Sequence, residues 1–306
     1  MTALSLFRRV SVLAAVFAYL QIALGGIVRV SGSGLGCPDW PLCHGRPYPP
    51  ANLHAIIEYS HRTVGTITGL LIIATVAGAW IVFRNRRPIV AWVATASLVA
   101  IAVEGALGGV VVAHELAPWL VAVHLGLAMI ILGALIATAA LSMPESPGVE
   151  SPAFARLSIA AVAGTYVLLL TGSSVVASDA DRTCHTWPLC GSGFSLDFSG
   201  VNAFTMVHRG AVLVIGLLLV YFAWTAVRQC ARWARIFAVA TLVALALQVL
   251  AGAVSAITDA ALANGIHVAL GTLVWGGVCT TAALSLPRSD RAPVESGAFL
   301  PAPRGG

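Results

Sequence analysis

The chain contains no lysine, and charged residues of every kind make up only 9% of its 306 positions. A soluble domain carries about 25%, so this sequence cannot cover itself with a water-facing surface. Acids are the scarcest charge, with 12 Asp and Glu in all. The basic groups are 17 arginines. They form no continuous basic patch, which excludes nucleic acid as a partner.

Apolar sequence fills the gap. Hydrophobic residues reach 58% and the mean hydropathy is +0.91. A spanning helix needs about 20 apolar residues. Eight such stretches occur, near 10–30, 55–83, 89–112, 118–141, 157–177, 203–227, 236–257 and 262–286. The expected fold class is an all-α integral membrane protein with eight transmembrane helices in the lipid bilayer. The first stretch follows MTALSLFRR and resembles a signal peptide. Its apolar run exceeds the usual 7–15 or so residues, so it is expected to be retained.

Arginine sets the expected orientation. With the N-terminus in the cytoplasm, 12 arginines fall on the inner side and five, Arg29, Arg46, Arg62, Arg182 and Arg209, on the outer. That bias obeys the positive-inside rule. The expected location is the cell membrane, multi-pass, with both termini cytoplasmic.

Two outer loops carry nearly the same phrase, CPDWPLCHG (37–45) and CHTWPLCGSG (184–193). An offset of 147 residues superposes them and also places His61 on His208, Arg62 on Arg209 and Gly25 on Gly172. Further on, Gly108 matches Gly252 at 144 and His124 matches His267 at 143. The chain therefore divides into two pseudo-symmetric four-helix bundles, 1–141 and 157–286. A cytoplasmic linker (142–156) joins them, and a tail (287–306) is expected to be disordered. An even number of spans per copy makes a parallel repeat. The spacing on an oxidising side predicts disulfides Cys37–Cys43 and Cys184–Cys190. Cys230 and Cys279 have no obvious mate.

His61, His124, His208 and His267 lie inside predicted helices at similar depth. Ionisable residues at membrane depth are rare and mark function; the plainer alternative is interhelical packing. Two imidazoles from facing helices suit the axial positions of a haem iron. Gly65, Ala128 and Gly271 follow three of them by four residues, leaving room on the same face. The remaining histidines, His44, His54, His114 and His185, fall in or near outer loops and are expected to be solvated. Glu58 and His61 also form Glu-x-x-His, the spacing of di-iron bundles. The second copy has Thr205 in place of Glu58, which disfavours that reading.

The ordered set EYSHRTVG (58–65), VAVHLG (121–126), MVHRGA (206–211) and GIHVALG (265–271), with the paired loop cysteines, resembles the haem A synthase family over nearly the whole chain. The resemblance implies an oxidoreductase that converts the C8 methyl of haem O to a formyl group by successive hydroxylations, in cytochrome oxidase biogenesis. It implies a haem b cofactor on His208 and His267. It places the substrate haem at His61 and His124, with Glu58 tied to catalysis. It also extends the expected partners to haem O synthase and oxidase assembly factors. The electron acceptor stays unidentified.

The halves differ where chemistry would need them to. Glu58 faces Thr205 and Glu104 faces Gln248 under the repeat. An oxidation must move protons, which a carboxylate can do. Glu58 could instead simply pair with Arg62 at i,i+4. Arg62 and Arg209 are expected to meet haem propionates. Cys37–Cys43 reads equally as a structural clasp or a redox pair, whereas Cys184–Cys190 reads as structural. A di-haem electron-transfer cytochrome is the main alternative. A disulfide oxidoreductase leaves the histidines idle and lacks C-x-x-C. A transporter lacks matching broken helices.

Overall fold

The computed structural model describes residues 2–143, 148–191 and 196–287. The expected tail lies outside the described residues except for Pro287, as do residues 144–147 of the linker. Eight helices follow in order: α1 (Ala3–Val30), α2 (Leu53–Phe83), α3 (Pro88–Ala113), α4 (Pro118–Leu141), α5 (Pro152–Ala177), α6 (Asn202–Gln229), α7 (Arg232–Thr258) and α8 (Ala261–Ser285). The shortest has 24 residues. At 1.5 Å per residue that exceeds the roughly 30 Å hydrocarbon core. All eight are apolar enough to cross a membrane, so the protein is multi-pass. Among the described residues there is no β-strand, only an isolated bridge between Cys43 and Arg46.

Helix starts follow local chemistry. Prolines at 88, 118 and 152 open α3, α4 and α5, where their missing N–H has no intrahelical partner to lose. The Asn52 side chain accepts from the N–H groups of His54 and Ala55 to cap α2. α5 begins inside the segment expected to be linker. The Ser151 hydroxyl accepts from the Phe154 N–H at 3.3 Å and Pro152 takes the first helical position, so the helix runs past its apolar stretch. α1 likewise starts at Ala3, capped by Thr2. Many buried hydroxyls bond within their own helices: Thr75 donates to the Leu71 carbonyl at 2.7 Å and Thr165 to that of Ala161 at 2.7 Å.

In the first half, α1 packs on α2 and α4, and α3 packs on α2 and α4. In the second, α5 packs on α6 and α8, and α7 packs on α6 and α8. The halves meet through α1–α8, α4–α8 and α4–α5. Exchanging α1 with α5 and α4 with α8 maps this set of neighbours onto itself. Trp275 of α8 donates its indole N–H to the Met129 carbonyl of α4 at 2.8 Å. Tyr166 of α5 donates its hydroxyl to the Gly126 carbonyl at 3.3 Å. α8 is the most enclosed helix, with 56% of its most apolar window buried against 11% for α7. Large apolar side chains such as Leu70, Ile81, Leu213 and Leu217 face outward, as a lipid-exposed surface requires.

Candidate functional site

Each of the four intramembrane histidines rests against a glycine of a neighbouring helix. A Cβ built on Gly25 of α1 would sit 3.1 Å from the His61 ring, and one on Gly172 of α5 would sit 3.1 Å from the His208 ring. On Gly108 of α3 it would meet His124 at 3.4 Å, and on Gly252 of α7 it would meet His267 at 2.8 Å. A side chain at these positions would push the imidazoles aside. The repeat-related glycines of the sequence are thus the floors on which the repeat-related histidines lie. Within each half the two imidazoles come from the second and fourth helices, His61 with His124 and His208 with His267.

Polar partners come one helical turn before three of these glycines. Gln21, four residues before Gly25, brings its amide nitrogen to 3.2 Å from His61 Nε2. Glu104, four before Gly108, brings Oε1 to 3.1 Å from His124 Nδ1, at an angle short of full hydrogen-bond alignment. Gln248, four before Gly252, places its amide nitrogen 3.3 Å from His267 Nε2, and His267 Nδ1 donates to the Gln248 carbonyl at 3.1 Å. Leu168 holds the fourth such position. There Thr171 substitutes, its hydroxyl lying 3.0 Å from His208 Nδ1. The pattern Gln/Glu-x-x-x-Gly, visible as QIALG, EGALG and QVLAG, was the signal that sequence reasoning passed over.

These surroundings fit a haem. The Gln21 and Gln248 amides donate to Nε2, the nitrogen that would face an iron, and the ligating tautomer keeps its proton on Nδ1. Several buried polar atoms have no partner: Gln21 Oε1, His61 Nδ1, Glu104 Oε2 and Gln248 Oε1. Such atoms call for a ligand or water. Among the described residues no group of three His, Cys, Asp or Glu is arranged to hold a bare metal ion.

The two cysteine loops close over the same end of each half. Cys37–Cys43 and Cys184–Cys190 are both bonded, and all four cysteines are buried. The Trp40–Pro41 and Trp187–Pro188 peptides are both cis. Trp40 reaches the α3 end, where a Cβ on Gly109 would meet its ring at 3.1 Å. The loop histidines bond locally rather than to the cysteines: His44 Nε2 to the Gly36 carbonyl at 3.1 Å, His54 Nδ1 to the Ser33 hydroxyl at 2.9 Å, and His185 Nε2 to the Arg182 carbonyl at 2.9 Å.

The first loop is clasped from below and the second is not. Arg62 donates through Nη1 to the Asp39 and Leu42 carbonyls, each at 2.5 Å, and through Nη2 to the Cys37 carbonyl at 2.8 Å. Nη2 also meets Glu58 Oε1 at 2.5 Å. Glu58 is 3% exposed, and its Oε2 accepts from the Cys37 N–H at 2.8 Å. The carboxylate is therefore both paired and wired to the disulfide. In the second half Arg209 has, among the described residues, one carbonyl partner, Pro188 at 3.1 Å, and a long contact to Cys190 Sγ. Thr205 donates to the Ala180 carbonyl at 3.4 Å instead. Asp39 accepts from the Gly45 N–H at 2.7 Å and the His44 N–H at 2.6 Å. These amides, Gly45's first, hold its carboxyl below the ordinary aspartate range.

Fold and site together define a multi-pass membrane protein with two pairs of intramembrane imidazoles, each imidazole resting on a glycine of a neighbouring helix. Residues 8–279 match the family model described as cytochrome oxidase assembly protein. The chain belongs to that family. Among curated relatives, it is 31% identical to "Heme A synthase" of Exiguobacterium sibiricum over 74% of this chain and 78% of the relative. It is 28% identical to "Heme A synthase" of Shouchella clausii over 89% and 94%. A third protein of that name, from Symbiobacterium thermophilum, is 28% identical over 92% and 95%.

Proposed function

We propose that this protein oxidises the C8 methyl of haem O to the formyl of haem A, with a substrate haem in the first half and a haem b in the second. The observation that carries the reading is the asymmetry laid over the repeat. Both halves seat two imidazoles on glycines, but only the first adds carboxylates, Glu58 and Glu104, where the second has Thr205 and Gln248. A purely electron-carrying di-haem cytochrome gives no reason for that difference, and the relatives' names do not favour it.

In this reading His208 and His267 hold haem b, which supplies a one-electron relay when bound. His61 and His124 hold the substrate. With water as the oxygen donor, two hydroxylations take the methyl to a geminal diol that loses water to give the aldehyde; in net one water is consumed, and protons and electrons are released in equal number, the electrons to an acceptor still to be identified. Glu58 takes up protons released near the cysteine loop. Its pairing with Arg62 holds the carboxylate in place while the substrate is absent. Arg209, with a single carbonyl partner, is the guanidinium free to meet a propionate in fork geometry. Arg62 spends its donors on the loop and acts as its clasp. The cysteine loops face outward and both termini face the cytoplasm.

Glu58→Gln tests the reading. It is expected to keep haem b and bind haem O, yet to form haem A about 10²–10⁴-fold more slowly, with haem O or a hydroxylated intermediate accumulating on chromatography of extracted haems. Thr205→Val, its counterpart, is expected to form haem A at a near-normal rate. Near-normal haem A from Glu58→Gln would leave the carboxylate with only its Arg62 pairing.

A further inference from the structure

The four imidazoles differ at Nδ1, the nitrogen behind an iron-facing Nε2. His208 meets a neutral hydroxyl from Thr171 at 3.0 Å and His267 a neutral carbonyl from Gln248 at 3.1 Å. His124 meets a carboxylate, Glu104 Oε1, at 3.1 Å. Among the described residues neither His124 Nδ1 nor His61 Nδ1 reaches full hydrogen-bond geometry, and of the two only His124 has a carboxylate beside it. The second half therefore backs both its histidines with comparable neutral acceptors. The first half sets a carboxylate beside one and none beside the other.

A carboxylate behind a histidine gives the ring imidazolate character and strengthens its bond to a metal. An imidazole without that neighbouring charge stays the weaker donor. The Gln21 amide nitrogen, 3.2 Å from His61 Nε2, has its counterpart in Gln248, 3.3 Å from His267 Nε2, so the charge of Glu104 is what separates the halves. Glu104 is 7% exposed, and its second oxygen has no partner, so nothing else competes for its charge. We propose that Glu104 makes His124 the permanent ligand of the substrate haem and leaves His61 the exchangeable one. The reactive face of the substrate is then the α2 face. His61 shares that helix with Glu58, one turn nearer the Cys37–Cys43 loop, so the exchangeable ligand and the proton acceptor lie on the same side. Glu104 is a positioning residue here, acting through His124, in an assignment that rests on the haem O reading above.

The test uses the full chain purified from membranes supplied with haem O. Haem O extracted beside haem b from the unaltered protein checks the underlying reading; its absence there would defeat that reading itself. Given that result, His61→Ala is expected to retain haem O and, when reduced, to bind carbon monoxide at the freed position. His124→Ala is expected to lose haem O while keeping haem b. Glu104→Gln, which copies the second half, is expected to retain haem O and raise the midpoint potential of that haem only, with the haem b potential unmoved. Loss of haem O from His61→Ala with retention in His124→Ala overturns the assignment, as does an unchanged substrate-haem potential in Glu104→Gln. Should Glu104→Gln fail to fold, Glu104→Asp, which keeps the charge but draws it back, is expected to give an upward shift in the same potential, and no shift there counts against the assignment.

Discussion

At the scale of single residues, the most consequential ones are the glycines beneath the imidazoles. Their distances rank them. Gly252 leaves the least room, with a Cβ position 2.8 Å from the His267 ring, and Gly108 the most, at 3.4 Å from His124. Gly252→Ala is expected to lose most of the haem b, because the ring cannot retreat into the packed α8. Gly108→Ala, at ordinary van der Waals distance, is expected to keep its haem. Haem b and haem O content of the two purified variants checks the order. Asp39 gives a pH prediction of known sign. Its folded carboxyl titrates below the ordinary value of about 3.9 because the Gly45 and His44 amides bind the charged form. Its contribution to the loop is present above that ordinary value and is lost as pH falls through the depressed one. Reduction of Cys37–Cys43 by a phosphine, which needs no thiolate, is expected to accelerate in that acid range. Asp39→Asn, which cannot titrate, is expected to show no such step.

At the scale of helices and loops, the sequence carried the eight spans because a bilayer imposes one length and one polarity on them. The boundaries were less legible. Ser151 and Pro152 extend α5 beyond its apolar stretch, and a hydropathy criterion cannot see a cap. The cysteine pairs were legible from spacing and shared side. Their unequal anchoring was not, since it depends on where Arg62 and Arg209 point after folding. Arg62 binds three loop carbonyls and Glu58; Glu58 is buried and Arg62 partly so, at 4% and 12% side-chain exposure. Arg62→Ala leaves Glu58 buried without its counter-charge, a change that costs about 3–5 kcal/mol. It is expected to lower thermal stability markedly and to speed reduction of Cys37–Cys43. Arg209→Ala, which removes a guanidinium hydrogen bond to one carbonyl and no ion pair with a protein carboxylate, is expected to cost less, about 1.5–3 kcal/mol. Equal melting temperatures for the two variants would contradict the unequal clasp.

At the scale of the whole molecule, a repeat visible as two cysteine phrases becomes two helix groups that meet along α4 and α8. The histidines were found in the sequence because ionisable residues inside apolar helices stand out. Their supports, Gln21, Thr171, Gln248 and the four glycines, were not, because each acquires meaning only from the helix packed against it. The central claim is that the two halves hold different haems, one as cofactor and one as substrate. The most direct measurement is the identity and amount of haem extracted from His208→Ala and His267→Ala proteins made with a haem O supply. Both are expected to lose haem b and its low-spin reduced-minus-oxidised band while retaining haem O in the first half. Retention of full haem b in both variants, or loss of one of two identical haems b with no haem O bound anywhere, would contradict it.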